Sequence, residues 1–330
     1  MLHGRKRIAL ALTALATTAL VALVPVSPTS AAPDIDDVKA KVDSLYEEAE
    51  HAQERLNDAK LELADVSRDL DALRKDQARQ QARVDAARGQ VEDSIVDQYQ
   101  GTTLSAAGQV MVSDDPTRFL SQLTTMSEYN DMQSAKFSDY NVELKALKIR
   151  QVETQQREAD AEALKQQLAD EKAEVKDKYA AAKELLDKLE LEQQEAIAEA
   201  SRSGDYTRLP DIPASGRAAA AVAYARAQVG KAYVYGAAGP NAFDCSGLTM
   251  MSWAQAGVGL PHSSSAQMGS GPRVSSSDLQ PGDLVFYYSP VSHVGIYIGG
   301  GLIVHAANPS TGVTIAGVFS MPYSGAVRPG

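Results

Sequence analysis

From Val38 the chain places apolar or small residues in alternating steps of four and three. They are Val38, Val42, Leu45, Ala49, Ala52, Leu56, Ala59, Leu63, Val66, Leu70 and Leu73, and the rhythm continues through Gln77, Gln80, Val84, Ala87 and Val91. Charged residues fill the positions between. A repeat averaging 3.5 residues keeps one face of a helix turned toward a partner, so the stretch predicts a coiled coil. No proline lies between Pro33 and Pro116, so every backbone N–H a helix needs is present. A second helical stretch, about residues 126–200, carries Leu144, Leu147, Leu164, Leu168, Val175, Tyr179, Ala182, Leu186 and Leu189 on a less regular seam. Between the two, residues 101–116 are rich in Gly, Ser and Thr, and Asp114-Asp115-Pro116 reads as a helix start. The simplest architecture for residues 33–200 is an antiparallel helical hairpin, and a helix of about 65 residues would reach about 100 Å. Phe119, Leu120, Leu123 and Met126 near the tip form either an apolar docking patch or an internal cap. The hairpin is either a spacer or a regulatory arm that a partner displaces.

The two ends of the chain follow other patterns. Arg5-Lys6-Arg7 precedes an uncharged apolar run from Ile8 to Val24, then Pro25, Pro28 and the small residues Thr29-Ser30-Ala31-Ala32. That order predicts a signal peptide over residues 1–32, with an uncleaved anchor as the rival. Either way the protein is expected to act outside the cytoplasmic membrane, and to be secreted if the signal is cleaved. Residues 201–216 hold Gly204, Pro210, Pro213 and Gly216 and read as a linker. From residue 217 charge falls while Gly, Ser, Tyr and β-branched residues rise. Ala218–Val229 reads as a helix ended by Gly230, and Leu248–Ala256 as another. Leu284–Tyr287, His293–Ile298 and Leu302–Ala306 read as strands, the last two joined at Gly299-Gly300-Gly301. Helices followed by short antiparallel strands make residues 217–330 an α+β head.

Charge changes the picture by excluding partners. The chain has 330 residues and a net charge of −11. Residues 1–32 carry three basic and no acidic residues, and residues 213–330 five basic and three acidic, so the acidity belongs to the middle. A general nucleic-acid binder would need a basic face, so no nucleic acid is expected as a partner. The acidic middle reads as a solvated helix face. The single cysteine, Cys245, excludes a disulfide scaffold and any CxxC centre.

A lone cysteine in an exported protein is odd: it either pairs with another chain or stays a free thiol with a use. Cys245 stands where a Gly/Pro loop enters a helix, and a helix start lowers a thiol's pKa. A nucleophilic thiol also needs an imidazole base and a group that orients it. His293 and His305 sit on adjacent arms of the predicted hairpin, within cross-strand reach. The backbone N–H of Cys245 and the Tyr233 hydroxyl are candidate oxyanion donors. His262 is a weaker alternative base. Cys245, His293 and His305 could together hold a zinc, but their spacing fits no standard zinc signature, so neither metal nor cofactor is expected.

Five stretches carry a resemblance: Ala232-Tyr233-Val234-Tyr235-Gly236; Asp244-Cys245-Ser246-Gly247-Leu248; Leu279 to Phe286 (LQPGDLVF); Ser292 to Ile298 (SHVGIYI); and Val304-His305-Ala306. Residues 217–330 resemble the NlpC-type cell-wall peptidases, papain-like cysteine hydrolases of bacterial peptidoglycan. The resemblance implies a minimal papain-like α+β fold, a nucleophile at Cys245, a base at His293 and an orienting residue at His305. It also implies an oxyanion contribution from Tyr233, with Asp244 and Ser246 flanking a peptidoglycan stem peptide cut between D-glutamate and a diamino acid. Signal peptide, coiled coil and head together are similar to actinobacterial and other Gram-positive hydrolases that separate daughter cells. For that group the coiled coil is implied to restrain the head or to engage a division-site membrane complex of the FtsX type. Tyr235, Ala237-Ala238 and Pro261-His262-Ser263 depart from the family's usual Trp, glycine-rich turn and Pro-Arg-(Ser/Thr). A wall-binding adaptor without catalysis is the alternative reading, and an acyltransferase or lipid-active relative a third.

Overall fold

Two long helices carry the regular seam. The computed structural model describes residues 35–100, 116–189, 191, 193–195, 214 and 216–330. The expected signal peptide, the hairpin tip and nearly all of the expected linker lie outside these residues. Among the described residues no helix is long and apolar enough to cross a membrane.

Helix α1 spans Ile35–Tyr99 and α2 spans Pro116–Asp187. They pack against each other as the antiparallel hairpin. The seam of α1 holds along its length: Val42, Leu45, Ala49, Ala52, Leu56, Ala59, Val66, Leu70, Gln80, Val84 and Val91 are all buried. On α2, Leu147, Leu164, Val175 and Ala182 are buried, as is Leu189 just beyond its end, but Leu144 and Tyr179 are exposed. The irregular spacing of α2 thus corresponds to an irregular contact, and the helix begins at Pro116, ten residues before the start expected from its apolar pattern. Apolar residues mark only the packed part of a helix, while Pro116 supplies the fixed φ of a first turn.

Polar pairs reinforce the seam. Arg55 donates to Glu171 at 2.9 Å and to Glu174 at 2.8 Å, and Arg74 to Glu158 at 2.7 Å. The buried Gln80 amide donates to the Glu143 backbone carbonyl at 3.0 Å. Exposed pairs of this kind each contribute at most about 1 kcal/mol.

The head begins with helix α3 (Arg217–Ala227), then a two-residue parallel pair, β1 (Ala232–Tyr233) and β2 (Ala242–Phe243). Helix α4 (Cys245–Ala254) follows, then the one-turn helix α5 (Ser264–Gln267). Five strands complete it: β3 (Leu284–Tyr287), β4 (His293–Gly299), β5 (Leu302–Ala306), β6 (Val313–Gly317) and β7 (Tyr323–Val327). They form one antiparallel sheet in the order β6-β5-β4-β3-β7. Helices α3 and α4 cover one face through Ala221, Ala225, Leu248, Trp253, Phe286, Ile296 and Val304. Val285, Tyr287, Ile303 and Val318 form a smaller cluster on the other face. The fold is therefore α+β, a long helical hairpin followed by a small α+β head. Strands β3, β4 and β5 fall where the alternation places them. Strands β6 and β7 were not expected, because Val313–Gly317 and Tyr323–Val327 have too little apolar alternation to announce themselves.

The hairpin and head belong to one compact unit, Ile35–Gly330. Their contact runs along residues 46–58 of α1, which lie in a groove of the head.

Candidate active site

Asp244 starts α4. It is the N-cap, with extended backbone, and its side chain accepts from the Gly247 N–H at 2.6 Å. The next residue, Cys245, is thereby fixed at the first position of the helix and is fully buried. Gly247 is required here by space: a Cβ on it would lie 2.3 Å from the Ala237 carbonyl oxygen. Asp244 also accepts from the Gly236 N–H at 2.9 Å and lies 2.8 Å from His262 Nε2. Its carboxylate is thus fully buried and engaged from three sides, so it anchors the loop around the cysteine.

The two histidines come from the sheet. Ile296 pairs with Val304 across β4 and β5, which places His305 diagonally from His293. Gly295 lies between them in register, and a Cβ there would stand 3.3 Å from the His305 Cβ. Removing that side chain lets the rings meet. His293 Nε2 lies 2.7 Å from His305 Nδ1, the rings nearly perpendicular at 88°. Burial, then the neighbouring His293, pulls His305 well below the ordinary imidazole range, which keeps it neutral. A ligating atom of Cys245 and one of His293 lie within 4.8 Å of each other. The structure thus gathers Cys245, His293, His305, Tyr233, Asp244 and Ser246 around one groove.

That groove is filled by the protein's own helix. Glu50 of α1 reaches the centre: its Oε1 lies 2.8 Å from His293 Nδ1 and accepts from the Tyr233 hydroxyl at 3.3 Å. One turn further, Glu54 accepts from Ser246 Oγ at 2.8 Å and from the Ser264 backbone N–H, and its Oε1 is 3.7 Å from Cys245 Sγ. Asp58 accepts from the Ser263 and Ser265 hydroxyls, at 2.7 Å from Ser265. At the other end Tyr235 donates to the Tyr46 carbonyl at 3.2 Å, and His51 lies 3.4 Å from Ser292 Oγ. Gln53 and Asn57 are buried on the same stretch of α1 and bonded to each other at 2.8 Å.

The electrostatics of this packing reverse one expectation. A cysteine at a helix start beside an imidazole should ionise easily. In this closed arrangement burial, followed by the Glu50 and Glu54 carboxylates, pushes the Cys245 thiol well above its ordinary range. Burial and then Asp244 push the Glu54 carboxyl from 4.5 up to about 7. Burial works against a charge on His262, but the Asp244 carboxylate outweighs it and raises that imidazole.

The glutamates were not expected at the site, although a signal existed. Tyr46, Glu50, Gln53, Asn57 and the neighbours Glu54 and Asp58 recur at the same four-and-three spacing as the seam, one face over. From sequence alone such a polar stripe is indistinguishable from a solvated face.

Comparisons with known proteins converge on the head. The NlpC/P60 family model matches residues 230–327. A probable endopeptidase of Corynebacterium glutamicum is 47% identical over 129 residues, covering 37% of this chain and 62% of the relative. A probable endopeptidase of Mycobacterium tuberculosis is 50% identical over 105 residues, 30% of this chain and 27% of the relative. The matched stretch therefore spans less than two thirds of either relative. Among solved structures, the NlpC/p60 domain of the peptidoglycan hydrolase SagA is 36% identical, with 33% of this chain and 97% of that domain covered and a TM-score of 0.32. Residues 230–327 of the chain thus match the NlpC/P60 family, and the curated relatives matched there are named probable endopeptidases.

Proposed function

We propose that the protein is an exported cysteine endopeptidase that hydrolyses peptidoglycan stem peptides and that its own α1 helix holds closed. The observation that carries this reading is the gathering of Cys245, His293 and His305 in one groove, with carboxylates of α1 lying against them. Cys245 attacks the scissile carbonyl, and His293 takes the thiol proton and later gives it to the leaving amine. His305 acts through His293 by fixing its ring. Tyr233, whose hydroxyl reaches a carboxylate oxygen in the closed form, donates to the oxyanion.

The docked helix supports the finer substrate reading. The Glu54 carboxylate rests on the Ser246 hydroxyl and the Ser264 N–H, beside Cys245. A free carboxylate next to the scissile bond is what a D-glutamyl residue linked through its side chain presents. This favours cleavage between D-glutamate and the diamino acid, with α1 occupying the place of substrate. Daughter-cell separation is the setting, and a division-site membrane complex of the FtsX type is the partner that withdraws α1. The distal half of the hairpin leaves Val142, Ile149 and Val152 exposed for such a contact.

The test is mass spectrometry of muropeptides after digestion of purified wall. Glu50→Ala/Glu54→Ala is expected to release products cut after D-glutamate, and Cys245→Ala in that background to release none. Cleavage unaffected by Cys245→Ala would overturn the assignment.

A further inference from the structure

The closed groove contains a ligand set for a metal ion, and we propose that it binds one zinc ion that bridges Glu50 of the arm to Cys245 and His293 of the head. A ligating atom from each residue lies within 4.8 Å of the other two, and all three residues are buried. Thiolate, imidazole and carboxylate are zinc's usual donors, and three protein ligands with one open position are a common zinc arrangement. The ligands come from α1, α4 and β4, so the ion would fasten elements that are distant in sequence.

Three further features suit a metal. His293 presents Nδ1 to this cluster while its other nitrogen, Nε2, lies 2.7 Å from His305 Nδ1. A second partner on the far ring nitrogen is the usual support of a metal-bound histidine. Glu54 and Asp244 add two acidic side chains at the same buried centre, so a divalent cation would meet a negative surrounding. An entry path exists: a cavity of about 370 Å³ reaches Glu50, His293 and His305 and is bordered by Asp43 and Glu47.

Binding exchanges a proton for the metal. The Cys245 S–H bond breaks, its proton leaves to solvent, and a sulfur–zinc bond forms without any change of oxidation state. The bound ion takes the sulfur's lone pair and ties down the arm, so zinc acts as a latch on the closed form. The proposal rests on the closed arrangement of three side chains and does not depend on the hydrolase reading.

The experiment titrates the full chain, stripped with chelator, with Zn²⁺ and with Co²⁺ as a spectroscopic stand-in. One zinc per chain is expected, and the cobalt form should show a thiolate-to-metal charge-transfer band. Zinc should protect Cys245 from iodoacetamide in the wild-type chain. Since even supporting residues change metal affinity about 10–100-fold, Glu50→Ala should weaken zinc at least tenfold, with circular dichroism reporting whether the variant is folded. The wild-type protection and cobalt spectrum need no variant, so misfolding leaves the test intact. Absence of stoichiometric zinc, absence of the charge-transfer band, or equal affinity in folded Glu50→Ala overturns the site. Muropeptide cleavage by zinc-free Glu54→Ala is scored separately. Cleavage without zinc binding sinks only the latch, and zinc binding without cleavage sinks only the hydrolase.

Discussion

The two halves of α1 share one heptad rhythm but differ in what they bury. In the distal half the seam is narrow: Leu70, Val84 and Val91 are buried while Ile95, Val96 and Tyr99 are exposed. In the proximal half the seam is buried and so is a second, polar face made of Glu50, Gln53, Glu54 and Asn57. Burying carboxylates and amides is costly unless each finds a partner. The carboxylates find theirs on the head, at Tyr233, Ser246, Ser264 and His293, while Gln53 and Asn57 are bonded to each other. The proximal face is therefore satisfied while docked, and water can satisfy the same groups when it is released. The lesson is that a polar helical face makes a reversible plug where an apolar one would make a permanent core.

The strongest break in this comparison is at the sulfur. In the released background, Cys245→Ala is expected to reduce wall cleavage by roughly a thousandfold or more, measured as soluble muropeptide. Next comes the plug itself. Hydrogen bonds to charged groups contribute about 1.5–3 kcal/mol each, so Glu50→Ala/Glu54→Ala should raise cleavage by the full chain about tenfold or more. The same two substitutions placed on the distal half, at Glu143 and Glu158, should leave the rate unchanged.

Acidity gives a smaller and signed effect. Docked Glu54 holds its proton up to about pH 7, through burial and the nearby Asp244, against 4.5 when free. The proton therefore favours the docked form. Its contribution is complete below about pH 4.5 and is lost as pH rises through about 7. Cys245 is also pushed upward, but from an already alkaline value, so its thiol keeps its proton throughout this window and leaves the change to Glu54. Energy transfer between labels on arm and head should fall as pH is raised from 5 to about 8, and Glu54→Gln should flatten the change. The smallest effect lies on the distal surface. Val142 is 62% exposed, so Val142→Ser should change thermal stability by no more than about 0.5 kcal/mol.

Much of this architecture is legible from residues alone, and the limits are physical. The α1 seam follows from period, because a heptad repeat has one geometric solution. The Cys245, His293 and His305 cluster follows from a helix start and a tight β-turn, both local features. Strands β6 and β7 escape because their residues are half-buried and mixed in character. Glu50 and Glu54 escape for a deeper reason: they meet Cys245 across about 190 positions, and polar residues carry no periodic mark of what they will face. The sequence rule for a reactive thiol also misleads here, since it considers the helix start and the imidazole but not two carboxylates arriving from another segment.

The central claim is that these carboxylates close the groove over Cys245, and the most direct measurement is its rate of alkylation by iodoacetamide in chelator-treated full chain. Wild type should react slowly and Glu50→Ala/Glu54→Ala at least about tenfold faster at the same pH. Equal rates in the two folded proteins would contradict it.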